Sequence, residues 1–326
     1  MYKSLKFIFQ LLFFTFIAGC GGGAFENKKS INLLVDAEAY NSFNLSQIVD
    51  TLLVIPLETR ENALIGSISK VVTTEDYIFV LDRSFAESLF IFDWQGKLVK
   101  VFTGTGEGPM EFLRVTNFFL NEKNGSILIF DGSLGKIIEL SLEGNFIFEI
   151  KNNPKLWIYD LFPITDGFFS LKTKDDKSGK YIDFIDDKLK FKRILVDLND
   201  KVNVVGGQKM RHFFAGSENE IYFKQMLSNV LYELGPSGDI VRKINFSFGN
   251  RNWTPAENPI HSRDAYMVIR NQNQLALSDE FLDFDNYLLF NFWDGGHLKS
   301  GVFVKENSAS FSLSGINNDV DELFPH

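Results

Sequence analysis

The hydrophobic pattern of most of the chain is that of short β-strands. Segments such as "YIFVL" (77–81) and "ILIF" (127–130) are apolar at consecutive positions, which is typical of strands buried on both faces. Segments such as "NFIFEI" (145–150) and "INFSF" (244–248) alternate apolar and polar positions, which is typical of strands with one exposed face. Turn-forming Gly, Asp and Asn residues separate these segments. The pattern therefore predicts an all-β protein.

The strands recur in a fixed order. In each unit an apolar strand ends in a polar residue, a small turn follows, a second apolar strand leads to a glycine turn, and a third strand alternates. Three stretches follow this order: Tyr77–Phe102, Ser126–Ile150 and Glu220–Phe246. The strand-ending polar residues are Asp82, Asp131 and Gln225, and the turn glycines are Gly96, Gly144 and Gly238. These glycines are 48 and 94 residues apart, and a fourth copy lies between the last two, where we expect Asp186 and Asp187 to adopt the turn's positive φ.

A period in the high forties with several strands per unit is typical of propeller blades. We therefore predict a six-bladed β-propeller with four-stranded antiparallel blades, whose 35 phenylalanines fill the spaces between blades. Five units are visible, and they begin near Ser67, Arg114, Leu156, Arg211 and Ser262. The fifth carries an insertion, residues 268–283, that is predicted to be helical.

The sixth unit is only half visible. "LLVIPL" (52–57) precedes the first unit and is predicted to be the strand that closes the ring. The tail after Phe311 is too short to supply the other strands of that blade. Two readings follow, a ring of five blades or a sixth blade that is incomplete in this chain.

The N-terminus has the features of a lipoprotein signal. Lys3 and Lys6 precede an apolar run of about a dozen residues, the length of a signal-peptide core and too short for a membrane-spanning helix. Ile17-Ala18-Gly19-Cys20 resembles the lipobox of bacterial lipoproteins, so Cys20 is predicted to carry lipid. The predicted organisation is a signal peptide at 1–19, a lipidated cysteine and flexible tether at 20–30, and a propeller domain at 31–326.

Composition limits the compartment and the partners. Cys20 is the only cysteine, so no intrachain disulfide can form. Removal of residues 1–19 takes away two lysines and no acidic residue, which changes the net charge from −9 to −11. This charge argues against a nucleic-acid partner and leaves the lipid as the contact with the membrane. Glycine rather than aspartate after Cys20 resembles outer-membrane sorting, so we expect the cell envelope and its outer membrane.

Several segments resemble the six-bladed β-propeller lipoproteins of Bacteroidetes, which are similar in shape to NHL-repeat propellers. The resemblance covers Ile55 to Asp321 and rests on "IPLETRENALIGSISKVV", "YIFVLD…LFIFDWQGKLV", "GTGEGPMEF" and "GINNDVD". It implies the propeller fold and an envelope location, and it implies little chemistry.

Two regions are candidate ligand sites. The loop "GTGEGPMEF" holds Gly104, Gly106, Gly108 and Glu111, but it lacks the spacing and the following helix of a phosphate-binding loop, so conformational need is the favoured interpretation. The residues that enter the innermost strands would surround the mouth of the central channel. That set is Lys70, Arg114, Trp157 or Tyr159, Arg211 with His212, and Arg263. Its alternative role is to pair with neighbouring carboxylates.

Two classes of function stay open. A non-catalytic module that binds a small ligand or an envelope protein, in an uptake system for glycans or peptides, is favoured. The alternative is a lyase or lactonase with a divalent cation in the central channel. Four dispersed histidines offer little material for zinc, and no nucleophile motif occurs. No cofactor or metal site is predicted, although channel Ca²⁺ with ligands from Asn117, Asp160 and Asp264 stays an alternative.

Overall fold

The computed structural model describes residues 29–61, 63–121, 123–151, 158–173, 180–198, 204–205, 212–217, 220–254 and 260–320. Two strands come first, β1 (Lys29–Leu34) and β2 (Asp36–Asn44), followed by a short 3₁₀ helix at Leu45–Gln47. β1 begins inside the segment predicted to be a tether, which ends at residue 30. Five antiparallel sheets then follow along the chain, and we call them blades 1 to 5.

Each blade holds four consecutive strands. Blade 1 comprises β3 (Lys70–Thr73), β4 (Tyr77–Asp82), β5 (Ser88–Asp93) and β6 (Leu98–Phe102). Blade 2 comprises β7 (Asn117–Asn121), β8 (Ser126–Asp131), β9 (Lys136–Ser141) and β10 (Phe146–Lys151). Blade 3 comprises β11 (Ile158–Ile164), β12 (Gly167–Thr173), β13 (Lys180–Asp186) and β14 (Phe191–Leu198).

The last two blades are separated by a helical segment. A two-residue strand, β15 (Val204–Val205), precedes blade 4, which comprises β16 (Phe213–Ala215), β17 (Ile221–Lys224), β18 (Val230–Leu234) and β19 (Ile240–Ser247). A 3₁₀ helix at Gly249–Arg251, strand β20 (Ile260–His261) and helix α1 (Ser262–Asn271) follow, and β20 pairs with β15 in parallel. Blade 5 comprises β21 (Leu275–Asp283), β22 (Tyr287–Asp294), β23 (His297–Val304) and β24 (Ala309–Asn317).

The all-β propeller with four-stranded antiparallel blades is confirmed, but the structure has five blades and not six. The predicted closing strand at 52–57 is also wrong, because this segment forms no strand. The N-terminal segment pairs with the blades at other strands. β1 pairs in parallel with β19 of blade 4, and β2 pairs in parallel with β24 of blade 5. One continuous segment therefore adds a fifth, outermost strand to each of two neighbouring blades.

Two local predictions also differ from the structure. The insertion predicted to be helical at 268–283 contains only the end of α1, and its second half is strand β21. In the fourth repeat the positive φ falls on Leu189 (φ 57°) rather than on the two aspartates. Asp186 instead accepts backbone hydrogen bonds from Lys188 and Lys190, as Asp93 does from Gln95 and Lys97 at the corresponding turn.

Buried apolar clusters join neighbouring blades, because both faces of the central strands are apolar. Phe79 and Phe118 belong to the cluster between blades 1 and 2, and Phe130 and Phe168 to the one between blades 2 and 3. Similar clusters join blade 3 to blade 4 and blade 4 to blade 5. Within the described part of the chain, no such cluster joins blade 5 to blade 1. Between the described residues of these two blades lies a space without such packing, and we call it the gap.

The two faces that border this gap are treated differently. The face of blade 1 is covered by its own chain, since Ala63 and the partly buried Ile55, Leu57 and Ile65 pack on β4 and β5. The face of blade 5 is left partly open. Along β22, residues 288, 290, 292 and 294 are buried while residues 287, 289, 291 and 293 are half-buried. This alternation leaves a wall that faces the gap.

Candidate functional site

A cavity of about 790 Å³ lies in the gap between blade 5 and blade 1. Strand β3 of blade 1 and the two residues before it contribute Ile68–Val71, and helix α1 contributes Ser262 and Tyr266. Blade 4 contributes Phe214 and Met226, and blade 5 supplies much of the remaining wall. We call this cavity the interblade cleft. Its volume lies within the roughly 300–1,000 Å³ that is usual for small-molecule sites.

Aliphatic side chains form exposed parts of the cleft walls. On blade 5, Leu282, Leu298 and Ile316 are 57%, 51% and 47% exposed, and on blade 1 Ile68 and Val71 are 64% and 48% exposed. A group of large apolar side chains open to solvent on both sides of one cavity is typical of a binding surface. These side chains lie at the place where a neighbouring blade would otherwise cover blade 5.

An aromatic pair lines part of the cleft. The rings of Tyr266 and Trp293 meet edge to face with centroids 5.1 Å apart. Tyr266 is positioned by α1, whose N-terminus is capped by the His261 side chain accepting a hydrogen bond from the backbone N–H of Arg263. One turn of the helix buries Ala265 against the core that also holds Trp253. Tyr266, the next residue, therefore lies at the edge of the cleft.

Polar groups, most of them uncharged, are placed between the apolar ones. Asn291 and Ser300 are directly opposite on β22 and β23, and the Ser300 hydroxyl donates a 2.8 Å hydrogen bond to Asn291 Oδ1. Ser278 and Glu280 line the cleft where the register of β21 shifts between Leu277 and Phe281. Such a bulge turns side chains that a regular strand would place elsewhere.

Lys70 lines the cleft, but its ammonium group is used to join blades. Lys70 Nζ donates to Asn117 Oδ1 at 3.1 Å and to the carbonyl oxygen of Phe118 at 2.7 Å. It also lies 4.9 Å and 4.8 Å from the ring centroids of Phe118 and Phe119. Of the predicted mouth residues, Lys70 is thus brought to the cavity while holding blade 1 to blade 2.

Asp160 and His212 form a second connection between blades. The Asp160 carboxylate is buried and accepts backbone hydrogen bonds from His212 at 2.5 Å, from Phe213 at 3.1 Å and from Leu161 at 3.0 Å. Burial raises the pKa of Asp160, although Lys70 and the three N–H donors act in the opposite direction. His212 is buried, with Nδ1 3.1 Å from the carbonyl oxygen of Lys224.

The Ca²⁺ candidates Asn117 and Asp160 take part in contacts that hold the fold. Asp160 and Asn117 hold backbone groups and Lys70, and Asp264 lies in the first turn of α1. Among the described residues, no three His, Cys, Asp or Glu side chains are close enough to hold one metal ion. In "GINNDVD", the Asp319 carboxylate accepts hydrogen bonds from the backbone N–H and the hydroxyl of Ser46.

The remaining mouth residues are dispersed or lie outside the described residues. Arg114 is half exposed, donates to Ser133 Oγ and pairs with Glu87 at 3.0 Å. Arg263 lies on the exposed side of α1. Trp157 and Arg211 lie outside the described residues, and of Tyr159 the structure describes the backbone in β11.

The glycine loop is attached to blade 2. Glu111 accepts a hydrogen bond from the backbone N–H of Gly108 at 2.8 Å, and Lys136 Nζ donates to the carbonyl oxygen of Gly108 at 2.9 Å. A Cβ on Gly104 would lie 1.7 Å from the carbonyl oxygen of Leu113, and one on Gly106 would meet the Glu111 carboxylate. These contacts show what the loop does for the fold and leave its role in binding a prediction.

Apart from Lys70, the cleft residues were not predicted from the sequence. In "YLLFNFWD" both alternating sets contain large apolar side chains, so the pattern does not indicate which set faces a cavity. The available signal was the polar Asn291 within an apolar strand. Cys20 and the signal segment lie outside the described residues, and in the described part no helix is long and apolar enough to cross a membrane.

The solved structures that are similar to this one include two from Bacteroides species. One is a Bacteroides fragilis protein whose name describes it as an inferred exported protein. It superposes with a TM-score of 0.65 and is 14% identical in sequence, and the match covers 87% of this chain and 80% of that protein. A member of the DUF4221 family from Bacteroides vulgatus has a TM-score of 0.51 at 12% identity, over 80% of this chain and 83% of its own. At these identities the likeness shows the fold alone. A streptogramin B lyase, at a TM-score of 0.42 and 14% identity over 77% of this chain and 69% of its own, is too distant to support an argument.

No curated protein is similar to this chain in sequence. The chain belongs to the family described as a domain of unknown function, DUF4934, whose profile matches residues 28–326.

Proposed function

We propose that this chain is a non-catalytic binding module that holds a small ligand in the interblade cleft. The cleft carries the proposal, because it combines a cavity of about 790 Å³ with exposed apolar walls and a few placed polar groups. The four other spaces between neighbouring blades are filled by buried apolar clusters. A ligand in the fifth space would cover surface that the fold leaves open.

Binding is favoured over catalysis by the chemistry of the walls. The polar groups of the cleft include serine hydroxyls and the Asn291 amide, while Glu280 is an exposed carboxylate. Acid–base catalysis needs a positioned proton donor or acceptor with a matched pKa. The buried Asp160 carboxylate already accepts three backbone hydrogen bonds. This arrangement supports ligand retention more than a reaction.

The proposed location is the cell envelope, with the lipid on Cys20 as the membrane contact. The support is the signal-like segment and the lipobox-like Ile17–Cys20. We extend the proposal to a supporting role in glycan or peptide uptake at the outer membrane. Labelling with an alkyne fatty acid tests the anchor: wild type should be labelled and sediment with membranes, and Cys20→Ser should do neither. Labelled Cys20→Ser protein would rule out this anchor.

The binding function is tested with the chain from residue 21 onward, which contains every described strand. The protein is incubated with an envelope extract of the producing bacterium, washed and denatured, and retained small molecules are identified by mass spectrometry. Retention should fall at least tenfold in Leu298→Arg, which places a charge on the cleft wall. Conversion of the retained molecule on incubation would instead support an enzyme.

Two further measurements distinguish a site in the cleft from a site at the channel mouth, and a binding module from a metal-dependent lyase. Arg114→Ala removes a mouth residue outside the cleft, so retention should be unchanged; a loss there, with Leu298→Arg unaffected, would move the site to the channel mouth. Metal analysis of the purified chain addresses the lyase alternative. A stoichiometric divalent ion would overturn the preference for a non-catalytic module.

A further inference from the structure

We propose that the interblade cleft takes a neutral amphiphile, a molecule with an aliphatic body and an uncharged head of hydroxyl or amide groups. This inference rests on the proposed function and specifies its ligand class. It follows from three properties of the cleft: the aliphatic walls, the uncharged hydrogen-bonding groups and the limited volume.

The aliphatic walls favour a hydrocarbon body. Leu282, Leu298 and Ile316 on blade 5 face the same cavity as Ile68 and Val71 on blade 1, and all five side chains are about half exposed or more. A body placed between them would remove apolar surface from water on both of its sides. Each buried methylene then strengthens binding about fourfold. A fully polar ligand would leave this surface without a partner.

The polar groups favour an uncharged head. The Ser300 hydroxyl and the Asn291 amide form a hydrogen-bonded pair on the blade 5 wall, and both groups keep further donor or acceptor capacity. Of the described residues that line the cleft, two are charged, Lys70 and Glu280. The Lys70 ammonium group is engaged by Asn117 and Phe118. Glu280 is exposed, and the Lys70 ammonium group already donates two hydrogen bonds and interacts with the Asp160 carboxylate. A charged head inside the cleft would therefore lose hydration without gaining a counter-charge that is dedicated to it.

The volume limits the size of the ligand. About 790 Å³ is enough for a medium-length alkyl chain together with a head of one or two rings. The Trp293 and Tyr266 rings, whose centroids are 5.1 Å apart and whose planes are inclined by 68°, give the cleft an aromatic surface beside the hydroxyl and amide groups. A head with one apolar face and hydroxyl groups at its edge, such as a neutral sugar ring, fits this combination.

The test uses n-octyl β-D-glucoside below its critical micelle concentration as the probe, with binding measured by equilibrium dialysis. Glucose has the head without the body, octanoate has an anionic head, and octyltrimethylammonium has a cationic head. We expect one octyl glucoside per chain, at least tenfold weaker binding of both charged amphiphiles, and no measurable glucose binding. Hexyl glucoside should bind about sixteenfold more weakly than octyl glucoside, since it lacks two methylenes.

Variants place the binding in the cleft. Leu298→Arg should weaken octyl glucoside binding at least tenfold, and Ser300→Phe, which fills the cleft from a half-buried position, should do the same. Ile194→Arg is the matched control, because Ile194 is 56% exposed on a strand of blade 3 outside the cleft. Its binding should equal that of wild type. Thermal unfolding of each variant shows that the fold is kept, and two cleft variants guard against failure of either one to fold.

The outcomes separate this inference from the function on which it rests. Equal binding of charged and neutral amphiphiles, binding of glucose alone, or equal binding by wild type and both cleft variants would overturn the inference. If the neutral amphiphile does not bind but retention of an envelope molecule still depends on Leu298, the ligand class is wrong and the binding function stands. If retention of an envelope molecule is also unchanged in Leu298→Arg, both the ligand class and the proposed binding function are wrong.

Discussion

The Asp160 carboxylate accepts a hydrogen bond from the backbone N–H of His212 at 2.5 Å, which joins the innermost strand of blade 3 to the residue that enters the innermost strand of blade 4. The same carboxylate oxygen accepts from Phe213 at 3.1 Å. Lys70 connects blade 1 to blade 2 in a related way. Polar side chains at the innermost strands therefore hold neighbouring blades together. This role explains why Lys70, Asp160 and His212, which the sequence analysis considered as ligand-binding residues, are polar.

Asp160→Ala should lower the free energy of unfolding by about 2–4 kcal/mol, because it leaves the buried N–H groups of His212 and Phe213 without an acceptor. Asp160→Asn keeps one carbonyl oxygen and should lose about half as much. Urea unfolding measures both. Added Ca²⁺ should leave the wild-type midpoint unchanged; a Ca²⁺-dependent rise that Asp160→Ala abolishes would instead identify a channel cation site.

Gly104→Ala should destabilise the protein by about 1–3 kcal/mol, because the new Cβ would lie 1.7 Å from the Leu113 carbonyl oxygen and the backbone must shift. Gly315→Ala is the control, since nothing lies within 4 Å of a Cβ there. Thermal unfolding compares the two variants. A neutral Gly104→Ala would show that the loop is not constrained by this close approach.

Acidification should weaken the attachment of blade 5 to its surroundings through Asp294. Burial alone would raise the pKa of Asp294, but hydrogen bonds from Lys299 and Arg251 outweigh it and hold the pKa below its ordinary value. The resulting stability is present above the unfolded pKa of about 3.9 and is lost as the pH falls through the lower folded pKa. Asp294→Asn should therefore be less stable than wild type at neutral pH, and the difference should shrink below about pH 4. Parallel stability curves for the two proteins between pH 6 and pH 2 would contradict this.

Phe43→Ala should cost about 3–5 kcal/mol, because Phe43 is 1% exposed on β2 and its ring meets Tyr287 of blade 5 edge to face at 5.1 Å. Leu34→Ala, at a residue 68% exposed on β1, should change stability by less than about 0.5 kcal/mol. Chemical denaturation measures both variants. Similar small losses would show that β2 does not stabilise the ring.

The repeat pattern predicted the blade and located its most regular polar position, whose function the structure shows. Asp82 accepts backbone hydrogen bonds from Gly66 and Ser67 in the segment that enters its blade and from Ser84 and Phe85 in the following turn. Asp131 likewise accepts from Leu113 before its blade and from Ser133 and Leu134 in its turn. Each of these contacts joins residues of the same unit. Because every unit needs the same contact, the polar residue recurs in the sequence repeat. Leu189 was missed because its positive φ is imposed by the turn and not by its own preference.

The number of blades and the binding surface could not be predicted from the repeat pattern. "LLVIPL" has the composition of a strand, but Ile55 and Leu57 pack against blade 1 without pairing to it as a strand. The strands that join the N-terminus to the ring are β1 and β2. They pair in parallel with β19 and β24, which lie more than 200 residues later in the chain. Leu298 and Leu289 have the same chemistry as residues buried between blades, so only their neighbours show that they face the cleft.

The sequence by itself determined the all-β repeat, the four-stranded blade and the glycine turns of the three clearest units, because the strand period and the local hydrogen bonds are encoded within fewer than 50 residues. Only the tertiary structure decided that five blades form, that the N-terminus laces blades 4 and 5, and that one space between blades stays open. The physical reason is that an apolar strand face is equally stabilised by any apolar partner. Which partner covers it depends on contacts between residues distant in the chain.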